Sequence, residues 1–453
     1  MLSKRLPIIF VILLIVVFPT SIILSGNPFN GLTSTVGGYS TWDSDLINIE
    51  NVSQTGAGVY VAVLDTGLVS NWKDYFPTER IATKLGTGFD QSVSFKAGND
   101  VCGLGVEVGQ LRQTTYIGST GSSHGTHVTS TIIGYFYRSN TDAVQGFPLP
   151  PIVVRGIAPD VTIIPVKVLA DYQVPALPKC GTGIPAQHAV FGTSEMVAAG
   201  IDYVTGLAKA GYKPMVINMS LGGDPDDPID PVEKAAVDRA IAAGVIVVAA
   251  AGNEGDAGMD APGSYAPVIS AGAAGWTQEW QPITNNNRYR MWWLQAFDLL
   301  QVVDDVPEPT PEPEVYVTDF SGRGHPGFDL DVLAPGSWVR GPFAGDPGYS
   351  HLPWWSKGIG DLVGHNPGNF FYVGGTSMAT PHVASVAALM LQKNPSLTAP
   401  QIEAIMETTA LKIVHSSSVV WDISPVQGYY TRTWGPDATG AGLLRADLAV
   451  AAS

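Results

Sequence analysis

An α/β fold built around a buried parallel strand is what the sequence predicts, on three observations. The first is the near-continuous apolar run Val59-Tyr60-Val61-Ala62-Val63-Leu64, the pattern of a strand covered on both faces, which ends in Asp65-Thr66-Gly67. The second is Ser122-Ser123-His124-Gly125-Thr126-His127-Val128, which opens an apolar helix running through Ile132 and Ile133. The third is the run from Gly374 to Val383, where a turn of small residues passes into a helix, Ala384 to Leu391, apolar nearly all round and so buried.

Each element brings a chemical group to an edge. The strand holds the Asp65 carboxylate at its C-terminal end. Gly374 and Gly375 let the chain turn sharply, and the first-turn N–H groups of the following helix favour negative charge beside Ser377. Pro381 fits within that first turn. On its own this segment equally describes a helix whose serine or threonine is simply an N-cap. An aspartate, a histidine and a serine at strand or helix boundaries, however, are the orienting group, base and hydroxyl of activated nucleophilic catalysis.

These residues resemble the subtilisin-like serine peptidases, whose catalytic order is also Asp, His, Ser. The likeness extends to Gly156–Asp160, Pro165–Leu169, Ile217–Gly223, Val247–Gly255, Asp331–Gly336 and Gly440–Asp447. It implies a three-layer subtilisin-like α/β fold with a mostly parallel central sheet and helices on both faces. It also implies an endopeptidase working through an acyl-enzyme, with Ser377 as nucleophile, His124 as base and Asp65 holding the imidazole. Asn253 becomes the oxyanion donor alongside the Ser377 N–H; losing such a donor costs about 2.7–4 kcal/mol in subtilisin. Ser220-Leu221-Gly222 and Ala250-Ala251-Gly252 become the segments flanking the first substrate pocket, their small side chains admitting an extended peptide by strand addition. Aligned on Asn253 and Tyr265–Ile269, Asp260 falls at the base of that pocket, where a carboxylate selects Arg or Lys before the cleaved bond. The alternative is that Asp260 starts an Asp-Ala-Pro-Gly turn and faces water. His127, a rival base, reads as a locally bonded helix histidine.

The net charge of −16, with only 24 Lys plus Arg in 453 residues, excludes a nucleic-acid partner, which requires a basic face. Protein or peptide substrates remain. Lys4 and Arg5 before the apolar stretch 6–24 mark residues 1–25 as a signal peptide or an N-terminal membrane anchor, leaving the peptidase domain, 26–453, secreted or otherwise outside the cytoplasm. Gly26 to Tyr60 leaves no room for a folding prodomain of the usual size, and no C-terminal module is expected after Ala446–Ala452.

Insertions relative to the family are expected near 86–121, 171–191 and 276–317. The last joins Trp276, Trp280, Trp292 and Trp293, which pack it onto the domain, to the acidic proline tract Pro307–Glu314, expected to be extended and exposed. Cys102 and Cys180, the two cysteines, each lie in an insertion that the family fold places near the cleft rim, and a disulfide between them is expected, two free thiols being the alternative. No cofactor is required for the chemistry. The family makes structural calcium an expectation, but no metal site is placed, because Tyr135–Arg155 does not reproduce the family's calcium loop. A His124/His127 zinc site lacks the His-Glu-x-x-His pattern. A catalytically silent peptide-binding domain of the same fold is the alternative function, and a tethered structural protein a third.

Overall fold

The computed structural model describes residues 28–97, 104–118, 123–137, 143–144, 147–148, 151–174, 187–280, 282–283, 288–289, 293–294, 306–343, 352, 354–355, 370–422 and 428–453. The N-terminal segment 1–25, Cys102, Cys180 and Trp292 lie outside these residues. The chain divides into a short unit ending at Leu32, of which 28–32 form a turn, and a compact unit from Thr33 to Ser453. The second unit carries the sheet and the cleft.

Its centre, among the described residues, is a nine-stranded sheet. In chain order the strands are β1 (Tyr60–Asp65), β2 (Thr87–Asp90), β3 (Arg112–Thr114), β4 (Thr162–Lys167), β5 (Met215–Met219), β6 (Ile246–Ala250), β7 (Ile269–Trp276), β8 (Val315–Val317) and β9 (Val332–Pro335). The spatial order is β8-β7-β6-β5-β1-β4-β2-β3, with β9 also paired to β7. Pairing is parallel except at the two ends, where β8 and β3 run antiparallel. The run Tyr60–Asp65 therefore sits at the middle of the sheet, as its unbroken apolar character requires.

Side chains alternate across this sheet and build two cores. Val61 and Val63 of β1, with Val216, Ile246 and Val248, face α2 (Ser123–Ile133) and α5 (Thr376–Lys393). Ala62 and Leu64, with Ile217, Met219, Val247 and Ala249, face α3 (Ser194–Lys209) and α4 (Pro231–Ala242). Helices thus cover both faces, in the three layers expected. The short helix α1 (Trp42–Leu46) is tied to α5 by a buried contact, His382 Nε2 to Asp43 Oδ2 at 3.1 Å.

Two expectations change in detail. The stretch 86–121 supplies β2 and β3, so part of it completes the sheet rather than decorating it. In 276–317, Trp276, Trp280 and Trp293 are buried, and Val315–Val317 joins the sheet. The proline tract is not simply exposed. Thr310 is buried, donating Oγ1 to Leu46 O (2.9 Å) and its N–H to Asn48 Oδ1, while Glu312 accepts from His415 and from the Val414 N–H. Prolines remove backbone donors, but the threonine and carboxylates between them supply side-chain bonds instead.

Candidate active site

In a parallel sheet, ligands bind outside the carboxyl ends of the strands, and the candidate residues gather there. Asp65 ends β1, Ser220 follows β5, and His124 and Ser377 each occupy the second position of a helix, α2 and α5. His124 and Ser377 line one cleft of about 830 Å³.

Asp65 is fully buried and accepts the Thr66 N–H at Oδ1 (2.6 Å). His124 Nδ1 meets Oδ1 at 2.8 Å and Oδ2 at 3.0 Å. The approach needs glycine at 125, since a Cβ there would lie 2.5 Å from Gly67 O and 3.1 Å from the Asp65 side chain. Burial alone would lower the His124 pKa, but the Asp65 charge and hydrogen bond outweigh it, and the imidazole is held above its ordinary value. His127, one turn on, is fully buried and donates Nε2–H to Val339 O (3.1 Å); burial, and the neighbouring His124, lower its pKa to about 4. It is a neutral packing residue.

Ser377 is held from outside its own helix. Because α5 starts at Thr376, Pro381 lies in the second turn and not the first as expected, and a proline there removes the N–H that would bond the carbonyl four residues back. That carbonyl belongs to Ser377, and it accepts Ser220 Oγ–H instead, at 2.8 Å. Asn218 Nδ2 in turn donates to Ser220 Oγ (3.0 Å). The Ser377 hydroxyl itself donates to Ser220 O at 3.1 Å, a bond it must give up to donate to His124. Such looseness is ordinary before substrate binds.

Asn253 is oriented by the residue before the serine. Its Oδ1 accepts from Thr376 N–H (2.8 Å) and Thr376 Oγ1 (3.1 Å), which leaves the Nδ2 amide as the uncommitted end, on a side chain held against the residue that precedes Ser377. The two segments proposed to flank the substrate differ. Ser220, Leu221 and Gly222 line the cleft, and neither Leu221 nor Gly222 has a main-chain partner among the described residues. Ala250, Ala251 and Gly252 are buried behind it; the carbonyls of Ala251 and Gly252 already accept from Asp260 and Gly322 N–H groups.

Asp260 does not face water. It is 6% exposed and packed between the two segments, so close that a Cβ on Gly222 would lie 2.6 Å from its Oδ2 and one on Gly252 2.7 Å from its Oδ1. Burial first, then the charge and hydrogen bond of Glu254 and the charge of Asp224, push its pKa up to about 8. Asp260 itself is not among the residues lining the cleft, whereas four acids that sequence reasoning missed are: Asp224, Asp227, Asp230 and, on α4, Glu233.

Among the described residues two carboxylate clusters bring oxygens within 4.8 Å of one another, Asp45/Glu50/Glu308 and Asp331/Glu403/Glu407. Neither lies in the cleft. Each offers three carboxylate side chains, and calcium takes about six to eight oxygens, a number that bidentate carboxylates, backbone carbonyls and waters supply together. No described helix is long and apolar enough to cross a membrane.

Comparison with known proteins identifies the family. The subtilase family model matches residues 56–440. Subtilisin DY of Bacillus licheniformis is 28% identical over 362 residues, covering 79% of this chain and 85% of its own. The extracellular serine proteinase of Thermus sp. (strain Rt41A) is 27% identical over 376 residues, covering 81% of this chain but 60% of its own. Among solved structures, the S41 psychrophilic protease superposes with a TM-score of 0.51 at 22% identity over 90% of this chain and 98% of its own, a likeness of fold. The chain belongs to the subtilase family of serine-type endopeptidases.

Proposed function

We propose that this chain is an exported serine endopeptidase in which Asp65, His124 and Ser377 form the catalytic triad. The observation that carries the reading is the His124 imidazole bound to the buried Asp65 carboxylate at 2.8 Å while sharing a cleft with Ser377. In the reaction the Ser377 Oγ attacks the peptide carbonyl carbon as His124 Nε2 takes its proton. Negative charge gathers on the substrate oxygen, met by the Ser377 N–H and Asn253 Nδ2. Collapse passes the His124 proton to the leaving amine and leaves an acyl-enzyme, and water, deprotonated by His124, releases it. Asp65 holds the imidazole and stabilises the imidazolium, consistent with the raised His124 pKa.

The open edge at Leu221 and Gly222 would carry the substrate as an added strand. Asp260, between Gly222 and Gly252, would select a basic side chain before the cleaved bond. Residues 1–25 would direct export or tether the domain, and Cys102 and Cys180 would form a disulfide outside the cytoplasm.

A fluorophosphonate probe tests the chemistry. Rapid labelling at Ser377, lost in Ser377→Ala and His124→Ala, is expected, with Asp65→Asn lowering kcat by about 10⁴. Slow labelling equal in all variants would mean a silent peptide-binding domain.

A further inference from the structure

The cleft is acidic in a way the triad does not require. Beyond His124 and Ser377 its wall passes along Ser220–Gly223 to Asp224, Asp227, Asp230 and Glu233, with no lysine or arginine in the lining among the described residues. Glu233 differs from the other three. It is the third residue of α4, 8% exposed, and its Oε1 has no hydrogen-bond partner among the described residues. The Val232 N–H of the same turn is taken by Asp230 Oδ1 at 2.8 Å. Burial, then the charge of Asp230, push the Glu233 pKa up to about 7. A carboxyl oxygen enclosed without a donor is unfavourable unless a ligand brings one, and the cleft wall beside it is apolar at Val197, Leu221 and Ile229.

We propose that Glu233 anchors a second substrate subsite, one that takes a lysine or arginine side chain upstream of the residue before the cleaved bond. The proposal rests on the peptidase reading above and names its substrate class: peptides with a basic residue set back from the scissile bond. The apolar wall suits the aliphatic stem of such a side chain, and the carboxylate its cationic head. A peptide added along Leu221 and Gly222 turns successive side chains to opposite sides, so the preference falls at one upstream position and is not spread over all.

The test compares kcat/KM on the full chain for matched peptides with arginine or its uncharged isostere citrulline at the second, third or fourth residue before the bond. One position should favour arginine by about tenfold or more, and Glu233→Gln should bring that ratio close to one. Glu233→Leu, which suits the apolar wall, should do the same. A wild-type ratio near one at all three positions, or a ratio that survives either substitution, overturns the proposal. So does failure of both variants to fold, which would assign Glu233 to the fold. The citrulline peptides separate the two levels: an enzyme that cleaves them and the arginine peptides equally refutes the second subsite alone, whereas one that cleaves neither refutes the peptidase reading.

Discussion

A carboxyl whose pKa is pushed up to about 8 is mostly protonated at neutral pH, so selection for a basic residue by Asp260 must itself depend on pH. Only the ionised form can pair with arginine. The sign follows from the raised value: the selecting state is nearly absent below the pKa and gained as pH rises through it. With a pKa of about 8 the ionised fraction is about 1% at pH 6, about 9% at pH 7 and about 91% at pH 9, a tenfold change in the ratio of ionised to protonated carboxyl corresponding to about 1.36 kcal/mol. The ratio of kcat/KM for a peptide with Arg before the cleaved bond to one with Leu should therefore climb by nearly two orders of magnitude from pH 6 to pH 9, levelling off above about pH 8. Taking the ratio removes the titration of His124, which both substrates share. Asp260→Asn and Asp260→Ser should make it independent of pH and lower it at pH 9. The assay is initial-rate hydrolysis of the two peptides across that range at constant ionic strength. A flat wild-type ratio, or one that still climbs in Asp260→Asn, would refute the reasoning and leave an apolar pocket.

The remaining predictions concern the catalytic framework. Ser220→Ala leaves the Ser377 carbonyl without either its helical or its side-chain donor, so the protein should lose about 1–3 kcal/mol in denaturant unfolding and turn over more slowly; unchanged stability and kcat would show that link to be idle. Since the raised His124 pKa must be exceeded before the base is free, kcat/KM for an uncharged substrate should fall on the acid side with a midpoint above the ordinary value of about 6.5 for histidine; a midpoint at or below about 6 contradicts the Asp65 coupling. Intact mass of the exported protein after alkylation without reduction should show no modified cysteine, and two alkylated thiols would dismiss the Cys102–Cys180 pair.

Much of this site was legible because its chemistry stands at element boundaries, where glycines and a change of hydrophobic period are visible in the sequence. Asp65 follows an unbroken apolar run and Ser377 precedes another, and both positions survive in the structure. What was hidden depends on where a boundary falls to within a turn, or on burial. Placing the helix start at Thr376 moves Pro381 into the second turn, and only then does the missing N–H point to Ser377. Glu233 reads from sequence as one more acid favoured at a helix start; its enclosure comes from tertiary packing, where α4 lies against α3 and β6. Likewise Asp260 looks like a turn residue until Gly222 and Gly252 close over it.

The bond from Ser220 to the Ser377 carbonyl means that the serine motif is not self-contained. Its hydroxyl is presented by one helix, but the height and tilt of the backbone bearing it are set by a side chain just past the end of a strand, more than 150 positions earlier in the chain. A ten-residue graft of Gly374–Val383 onto another strand-turn-helix would carry the sequence signature and the proline-made gap, and leave the gap unfilled. Transplanting the nucleophile requires moving Asn218–Ser220 with it, so the smallest portable unit of this site is a helix together with the strand beneath.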